Sequence, residues 1–553
     1  MDGAGATSAV SLDETRDTQG AFPRLGEDAI DALENHGAHR RITVGELLFE
    51  AGDETYDFFA VLSGAVAILD DAGRAQERVI GVHRAGRFLG ELGLLSGEGA
   101  FLTAKVVEEG EVLQIPALEL RHIVADEPGV GDLILRAYLA RRVILSGLGT
   151  GPKVIGSRFQ PDTRRLRVFL ARNRVPHGYL DLEEDEGADT LLREFGVGCQ
   201  ETPIVLRGEQ LLRNPSNGER AAALGLHPPS AAATVFDLLV VGSGPAGLAA
   251  AVYGASEGLR TVAIDAVAPG GQAGTSTRIE NYLGFPGGIS GDELTQRATL
   301  QAGKFGARVL VPAEAVGFCS QEDHYRVRLA DGEAVEARSV MLATGARYRK
   351  LAIPRIDELA GLGVYYAATP MEAQACAGSH VAVVGGGNSA GQAAVFLSGG
   401  VSKVSLLIRG GDLARTMSRY LIDQLERMEN VEILPRTEVR ELLGDRTLEG
   451  LVLSSAGEER RLGVGALFVF IGAEPHTRWL KGELALDAKG FVRTGRELDG
   501  EAEGEAPPLL LETSRPGVFA VGDVRSASIK RVASAVGEGS MAVRLVHQHL
   551  AER

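Results

Sequence analysis

The 553-residue sequence contains only three cysteines, Cys199, Cys319 and Cys376, and no two of them form a C-x-x-C pair. Such sparse and separated thiols are typical of a reducing compartment. They also exclude the simplest redox centre of a disulfide reductase, a C-x-x-C dithiol. No apolar run approaches the roughly 20 residues that span a bilayer. The polar N-terminus also lacks the basic start and apolar core of a signal peptide. We therefore expect a cytoplasmic protein without a membrane segment.

Positive charge is also scarce. Lys and Arg number 57 against 74 Asp and Glu, which gives a formal net charge of −17. Neutralisation of phosphates by Lys and Arg supplies most non-specific affinity for nucleic acid, so this balance argues against a nucleic-acid partner. We also expect no metal site. The length exceeds what one hydrophobic core supports, because single domains seldom grow past about 250 to 300 residues.

The first domain is predicted over residues 1–147. Short strands broken by glycine run from about Ile42 to Ile115, and a helical pattern follows to about Leu145. Such spacing is typical of a β jelly roll with helices after it. This succession, together with FLGELGLLSGEGA at 88–100, resembles the cyclic-nucleotide-binding domains of catabolite activator proteins and cyclic-nucleotide-dependent kinases.

The resemblance to these domains is incomplete at the phosphate. Glu91 matches the residue that would hold the ribose 2′-hydroxyl, but Gly-Ala-Phe-Leu-Thr at 99–103 replaces the element with the phosphate-binding arginine. A charged hydrogen bond is worth about 1.5 to 3 kcal/mol, so its loss weakens binding by about ten- to hundredfold. One interpretation is that this domain still binds a cyclic nucleotide. The alternative is a jelly roll used for dimerisation or regulation.

A small α/β unit is predicted over residues 153–227. A helix ending near Asn173, a strand at 179–182, a helix near 190–195 and a strand at 203–206 resemble part of a thioredoxin or glutaredoxin fold. Thr202-Pro203 stands where that family has its cis-proline turn. Gln160-Pro161-Asp162-Thr163 stands where its two cysteines would precede the first helix. We interpret the unit as a redox-inactive spacer or docking module, with Cys199 as an alternative exchange thiol, and residues 214–234 as a linker.

A dinucleotide-binding unit begins at Val235. An apolar strand leads into a glycine turn, a helix and a second strand that ends in an acidic residue. The glycines permit a tight turn, close approach of a pyrophosphate and close helix packing, and the acid can hold a ribose. The predicted residues of this site are Gly242, Gly244, Pro245, Ala246, Gly247 and Asp265.

A second unit of the same kind follows at His380. Its second strand ends in Arg409 instead of an acid, and Arg415 follows in the next loop. A guanidinium favours the 2′-phosphate of NADP, whereas a carboxylate favours a bare ribose. Two units predict two dinucleotides, with NADPH at the second. The predicted residues of this site are Gly385, Gly387, Asn388, Ser389, Ala390, Arg409 and Arg415.

Residues 235–553 resemble the low-molecular-weight thioredoxin reductases. The motifs are GGQAGTSTRIENYLGFP at 270–286, LATGARYRKLAIP at 342–354, VFIGAEP at 469–475, and VFAVGDV with IKRVASAVGEGSMAV near the end. The resemblance implies two Rossmann-like α/β domains, one for FAD (233–349 and 470–553) and one for NADPH (350–469). It also implies further FAD contacts. Asp523 would lie on the ribityl or pyrophosphate side, and Arg531, Val532 and Ala533 would line the flavin ring. These contacts are Gly271, Gln272, Asn281, Gly345, Gly522, Asp523, Arg531, Val532 and Ala533.

The chain departs from this family at the redox dithiol. Ala367-Ala368-Thr369-Pro370 occupies the place of the C-A-T-C element, and Cys376 is solitary. Alanine and proline carry no electron-accepting sulfur, so the usual relay cannot run. We expect an NADPH-dependent FAD oxidoreductase that transfers hydride from NADPH to FAD and on to an external acceptor.

Several alternatives stay open for this oxidoreductase. The acceptor could be a thioredoxin-like protein, a ferredoxin or a quinone, and the sequence singles out no catalytic residue. A nucleotide-liganded redox sensor or docking scaffold with incidental turnover is the first alternative function. A modified protein-disulfide reductase that exchanges through one thiol is the second. A homodimer is expected.

Overall fold

The computed structural model describes residues 13–552 except 19, 54, 74–76, 91, 97–98, 186–191, 194, 208–209, 224–234, 277, 456, 481, 499–502 and 504–506. The chain forms two compact units, residues 1–229 and 230–553. Over the described ranges, no helix is both long enough and apolar enough to cross a bilayer.

The first unit opens with helix α1 (Glu27–Glu34) and a five-stranded antiparallel sheet. The strands are β1 (Ala38–Ile42), β2 (Leu47–Phe49), β3 (Phe58–Asp70), β4 (Arg78–Arg84) and β5 (Thr103–Ile115). Their spatial order is β1-β5-β3-β4, with β2 beside β5. The helices are α2 (Leu92–Ser96), α3 (Ala117–Asp126) and α4 (Pro128–Gly147). The predicted β-rich domain with following helices is confirmed.

Helix α4 is fixed to this sheet by Arg141. Its guanidinium is 4% exposed and donates to the carbonyls of Ala21 (2.7 Å), Phe88 (3.0 Å) and Gly90 (2.8 Å). A buried charge is tolerated only when its donors are paired. Arg141 therefore ties the segment before α1 and the turn after β4 to the same helix.

The rest of the first unit is a four-stranded sheet with two described helices. Its elements are β6 (Lys153–Gly156), α5 (Pro161–Arg172), β7 (Gly178–Asp181), β8 (Ile204–Arg207), β9 (Gln210–Arg213) and α6 (Asn217–Ala223). The order is β7-β6-β8-β9, with β6 parallel to β7 and the other pairs antiparallel. This arrangement has the expected thioredoxin-like topology, and the Thr202–Pro203 peptide is cis as predicted.

One detail of this part differs from the sequence prediction. Residues 214–234 were expected to be linker, but 217–223 form helix α6, so that expectation is wrong there. The reason is local. Ser216 Oγ accepts a hydrogen bond from the Glu219 N–H, and the Glu219 carboxylate accepts one from the Ser216 N–H. Such reciprocal capping satisfies the first turn of a helix. Of the helix predicted near 190–195, residues 190, 191 and 194 lie outside the described residues.

The second unit contains a seven-stranded sheet. The strands are β10 (Val235–Val241), β11 (Thr261–Ile264), β12 (Arg308–Leu310), β13 (Ala315–Ser320), β14 (Tyr325–Leu329), β15 (Ala334–Leu342) and β26 (Val518–Ala520). The order is β12-β11-β10-β15-β14-β13, with β26 parallel to β15. Helices α7 (Pro245–Ser256), α8 (Gly291–Lys304) and α12 (Val532–Ala551) belong to the same domain. Its central strands are almost wholly apolar because parallel sheets are buried on both faces.

A second α/β domain is inserted into the first. Its parallel strands are β17 (Val364–Tyr365), β18 (His380–Val384), β19 (Lys403–Leu407), β20 (Val431–Leu434) and β24 (Ala466–Val469), in the order β17-β24-β18-β19-β20. An antiparallel sheet holds β21 (Thr437–Leu443), β22 (Gly450–Ser455) and β23 (Glu458–Gly463). The helices are α9 (Pro370–Ala375), α10 (Asn388–Ser398) and α11 (Arg419–Glu426).

The chain passes between these two domains twice. The crossing segments β16 (Ala346–Tyr348) and β25 (Ala473–Pro475) pair antiparallel. Gly345 (φ +63°) and Gly472 (φ +98°) precede them in a backbone region that favours glycine. The two crossings are therefore joined to each other by strand pairing.

Candidate active site

The first glycine turn joins β10 to α7. Gly242 has a φ of +102°, and a Cβ there would lie 2.4 Å from the Ala343 carbonyl oxygen. A Cβ on Gly247 would lie 1.8 Å from the Gly242 carbonyl oxygen. Both positions therefore require glycine for packing. Pro245 opens α7 after Gly244 and has no N–H, so the first backbone N–H groups of the helix are those of Ala246 and Gly247.

A second glycine loop lies against this turn. The Gly270 N–H donates to the Ser243 carbonyl (2.7 Å), and a Cβ on Gly271 would lie 2.9 Å from the Gly244 Cα. A Cβ on Gly244 would meet only the Gly271 Cα, at 3.8 Å. The Ser243 hydroxyl is fully buried and has no hydrogen-bond partner within the described part of the chain. A glycine turn at a helix start, with a second glycine loop packed against it, is the arrangement that fits a dinucleotide pyrophosphate.

Asp265 ends β11 beside the same turn. Its carboxylate accepts from the N–H groups of Ser243 (2.9 Å), Val267 (3.0 Å) and Ala268 (3.1 Å). An ionised carboxylate has about four acceptor positions, so one is left for a further donor such as a ribose hydroxyl. Asp265 thus shapes the turn as well as lying where a ribose would be held.

Gly522 and Asp523 lie beside the first turn of α7, since a Cβ on Gly522 would lie 2.9 Å from the Ala246 Cβ. The Gly522 N–H donates to Glu538 (2.7 Å), and Glu538 is paired with Arg525 at 2.5 Å. Burial raises the pKa of the Asp523 carboxyl above its usual value, and the Lys530 ammonium partly opposes that rise. A carboxyl with a raised pKa holds its proton more readily and can then donate a hydrogen bond.

The three predicted flavin-ring residues lie at the start of the last helix. Arg531 is the N-cap of α12, Val532 is its first residue, and Ala533 is exposed. A helix N-terminus carries partial positive charge and stabilises a nearby anion.

The loop that follows Gly271 is anchored to a domain crossing. The Gln272 amide donates to the Ala346 carbonyl in β16. Asn281, a few residues further on, is exposed. Gln272 therefore links the FAD-side glycine loop to the crossing that Gly345 precedes.

The second glycine turn joins β18 to α10. Gly385 has a φ of +147°, and a Cβ there would lie 2.3 Å from the Phe470 carbonyl oxygen. The Asn388 amide donates to the Ser418 hydroxyl (2.9 Å) and accepts from the Ser418 N–H (2.7 Å). Thr416 donates to the Gly386 carbonyl (2.6 Å). Asn388 was predicted as a nucleotide contact, and here its amide holds the 416–418 segment against the turn.

The other predicted residues of this site lie around the same turn. Gly387 is the N-cap of α10, Ser389 is exposed, and Ala390 is buried. Arg409 and Arg415 are both exposed, directly after β19 and in the loop that leads to Thr416. Two unburied guanidinium groups beside a glycine turn are available to a 2′-phosphate.

The place of the missing dithiol is the start of helix α9. Ala367 is half-buried and Ala368 is 7% exposed. Thr369 is the N-cap, and its N–H donates to Glu372 (3.0 Å). Thr369 and Glu372 therefore cap helix α9. The segment Ala367–Pro370 contains no sulfur atom.

Of the two cysteines whose side chains are described, Cys376 is buried and Cys319 is partly exposed. Cys376 is 5% exposed, and its thiol donates to the Glu372 carbonyl (3.0 Å). Burial raises the pKa of Cys376 to about 11, so the reactive thiolate is scarce at neutral pH. Cys319 lies on β13 with its thiol 3.7 Å from the Arg326 carbonyl. The side chain of Cys199 lies outside the described atoms.

A cavity of about 250 Å³ lies beside Ala367 and Ala368. It also contacts Thr275 and Ser276 of the FAD domain, Ser389 of the inserted domain, and Phe470 directly after β24. Sequence reasoning missed this cavity. The only signal in the sequence was the pair of small residues at the dithiol position.

In the first unit, the place of the phosphate-binding arginine is filled by apolar residues. Ala100, Phe101 and Leu102 are 1%, 7% and 8% exposed. The Ala100 main chain is paired with Gly52 and Asp53, at 2.9 and 2.8 Å. Glu91 lies outside the described residues. The apolar filling agrees with the expected loss of an arginine there.

Two α/β domains with one glycine turn each, joined by paired crossings, define a flavin- and pyridine-nucleotide-dependent oxidoreductase. Residues 236–539 match the family described as pyridine nucleotide-disulphide oxidoreductase, and residues 39–127 match the cyclic nucleotide-binding domain. The chain belongs to the pyridine nucleotide-disulphide oxidoreductase family, with a cyclic nucleotide-binding domain fused at its N-terminal side. Its cofactors are FAD and NADPH, as in the thioredoxin-reductase type of this family.

Individual relatives agree with this assignment. A thioredoxin reductase of Mycolicibacterium smegmatis is 33% identical over 59% of this chain and 99% of its own length. An alkyl hydroperoxide reductase component of Pseudomonas putida is 35% identical over 57% of this chain and 58% of its own length. Among solved structures, Lactococcus lactis thioredoxin reductase aligns with 57% of this chain and all of its own, at 27% identity and a TM-score of 0.53. The thioredoxin reductase of T. acidophilum gives a TM-score of 0.52 at 27% identity, over 57% of this chain and 98% of its own.

Proposed function

We propose that the protein oxidises NADPH and passes the electrons to an external acceptor without a dithiol of its own. The observation that carries this proposal is the segment Ala367–Pro370, which caps a helix at the position that the resemblance to thioredoxin reductases assigns to their dithiol. When bound, FAD supplies the hydride-accepting and electron-delivering chemistry between NADPH and that acceptor. The chain contributes binding, orientation and electrostatics.

The two glycine turns would hold the two nucleotides. The Gly242–Gly247 turn, with the Gly271 loop and Asp265, would bind the FAD pyrophosphate and ribose. The Gly385–Ala390 turn would bind NADPH, with the neighbouring arginines against its 2′-phosphate. Asp523 would contact the ribityl chain, and the start of α12 would stabilise negative charge on the flavin ring.

A modified disulfide reductase is the second candidate, favoured by the thioredoxin reductase names of several relatives. It would require exchange through one thiol, with the partner supplying the resolving cysteine. The burial of Cys376 opposes that role. A nucleotide-liganded redox sensor is the third candidate, and the N-terminal cyclic nucleotide-binding domain favours it.

We also propose that the protein is a homodimer, which sedimentation velocity would test.

The deciding experiment is anaerobic oxidation of NADPH by the purified holoprotein with thioredoxin, ferredoxin, a quinone or ferricyanide as acceptor. Steady turnover with a non-disulfide acceptor is the expected result. Turnover with thioredoxin alone would instead establish the modified disulfide reductase. Fast bleaching of the flavin followed by slow reoxidation with every acceptor would establish the sensor.

A further inference from the structure

The cavity beside Ala367 and Ala368 lies between the two nucleotide-binding loops. Thr275 and Ser276 on its wall continue the loop of Gly271 and Gln272, and Ser389 is the second residue of α10. The glycines of both turns and the two arginines after β19 are not among its lining residues. The cavity therefore adjoins the loop that follows Gly271 and the start of α10, while the glycines of both turns lie outside its lining.

We propose that this cavity binds the electron acceptor, and that the acceptor is a small uncharged quinone. The inference rests on the proposed function and narrows its substrate class. Alanines at 367 and 368 contribute only methyl groups to the wall, so the position that relatives give to a dithiol is open space here. An acceptor bound in that space would receive the electrons that a dithiol at this position would otherwise receive.

The lining of the cavity suits a flat ring with carbonyl groups. Phe396 and Phe470 supply aromatic surface, and the amides of Gln392 and Gln424 are groups that can donate to carbonyl oxygens. Half of the lining residues are apolar and half are polar, and small-molecule sites combine apolar surface with polar groups that orient the ligand.

Charge and size restrict the ligand further. Arg278 and Glu280 on the rim form an ion pair (3.5 Å), so the pair adds no net charge. A volume of about 250 Å³ is smaller than that of sites for drug-sized ligands, which begin at about 300 Å³. One or two fused rings fit such a space, and a folded partner protein does not.

Reduction of the quinone balances with NADPH, the reductant of this family. NADPH gives up a hydride, which is two electrons and one proton, and becomes NADP⁺. The quinone takes up those two electrons and two protons, the second proton coming from solvent. Its two C=O groups become C–OH groups, so the products are NADP⁺ and a hydroquinone.

The test uses menadione, a two-ring quinone, and the complete holoprotein. Calorimetric titration of the oxidised protein without NADPH measures the menadione Kd with no turnover, and steady-state assays with NADPH measure the menadione KM. Ala368→Leu places three extra carbons at the cavity wall. We expect both constants to rise by about tenfold or more, since a single methylene in a pocket changes binding by about tenfold or more.

Ala375→Leu is the matched control, because Ala375 is exposed at the end of α9, the helix that follows Ala368, and does not line the cavity. It should keep the menadione Kd and KM of the parent protein. If Ala368→Leu fails to fold or loses FAD, Ala367→Leu decides, because Ala367 is only half-buried and also lines the cavity.

Three results would overturn the proposal: no saturable menadione binding, equal constants in the cavity variants and the parent, or displacement of menadione by NADP⁺. Ferricyanide reduction by the parent protein separates this failure from failure of the proposed function. A parent protein that reduces ferricyanide but binds no menadione would refute the cavity alone. One that oxidises NADPH with no acceptor would refute the proposed function itself.

Discussion

At the scale of single residues, the three cysteines determine whether a thiol takes part in turnover. Replacing Cys199, Cys319 and Cys376 together with serine should leave NADPH-dependent reduction of ferricyanide intact, because no described thiol lines the cavity or either glycine turn. Steady-state rates of parent and variant at equal FAD content provide the check. A variant that keeps its fold and FAD but loses dye reduction would place a thiol in the electron path.

Cys376 also makes a prediction about pH. Its folded pKa of about 11 lies above the ordinary value of 9.0, so burial favours the neutral thiol. The stability from this burial is complete below pH 9 and is lost as the pH rises from there through about 11. Alkylation of Cys376 by iodoacetamide should therefore be slow at about pH 8, where the thiolate is scarce, and accelerate only near pH 11. Mass spectrometry of Cys376 peptides measures this directly, and rapid labelling of the folded protein at the lower pH would contradict it.

The two exposed arginines after β19 predict the nucleotide preference. NADPH should reduce the flavin faster than NADH in anaerobic stopped flow, because a guanidinium can pair with the 2′-phosphate. The double substitution Arg409→Ala with Arg415→Ala should narrow that difference by about tenfold or more, since a charged hydrogen bond is worth about 1.5 to 3 kcal/mol. Arg419→Ala, an exposed arginine paired with Asp423 on α11, is the control. Equal rates with both nucleotides in the parent would defeat the NADPH assignment.

At the scale of elements, the β10–α7 turn depends on close packing of helix and strand. Gly247→Ala should lower the free energy of unfolding by about 1 to 3 kcal/mol and weaken FAD retention, because its Cβ would overlap the Gly242 carbonyl. Gly303→Ala is the matched control in helix α8, where a Cβ meets nothing within 4 Å. That change should stabilise by up to about 1 kcal/mol through helix propensity. Urea unfolding of both variants decides, and a neutral Gly247→Ala would refute this account of the turn.

How far the sequence predicted these elements depends on how local their causes are. The glycine turns and the missing dithiol were predictable because a few adjacent residues determine them. Helix α6 was missed because Pro, Ser and Asn around it suggested a linker, although Ser216 and Glu219 cap it. The cavity could not be predicted, since its wall joins residues near 275, 367, 392 and 470 that only the tertiary fold brings together. The role of Asn388 in holding Ser418 depends on the same kind of distant contact.

At the scale of the whole molecule, two nucleotide sites predict a coloured protein. The purified chain should be yellow and should release FAD on denaturation, because the Gly242 turn, the Gly271 loop and Asp265 together fit that dinucleotide. Absorbance spectra and chromatography of the released cofactor check this. A colourless protein that cannot be reconstituted with FAD would contradict the assignment.

The central claim is that the protein stores electrons on its flavin and on no internal dithiol. Anaerobic titration with NADPH, followed by flavin absorbance, counts those electrons. A dithiol would take up two electrons in addition to the two of the flavin. The account predicts complete bleaching after about one NADPH per FAD, whereas an end point near two NADPH per FAD would contradict it, since a disulfide would then be reduced as well.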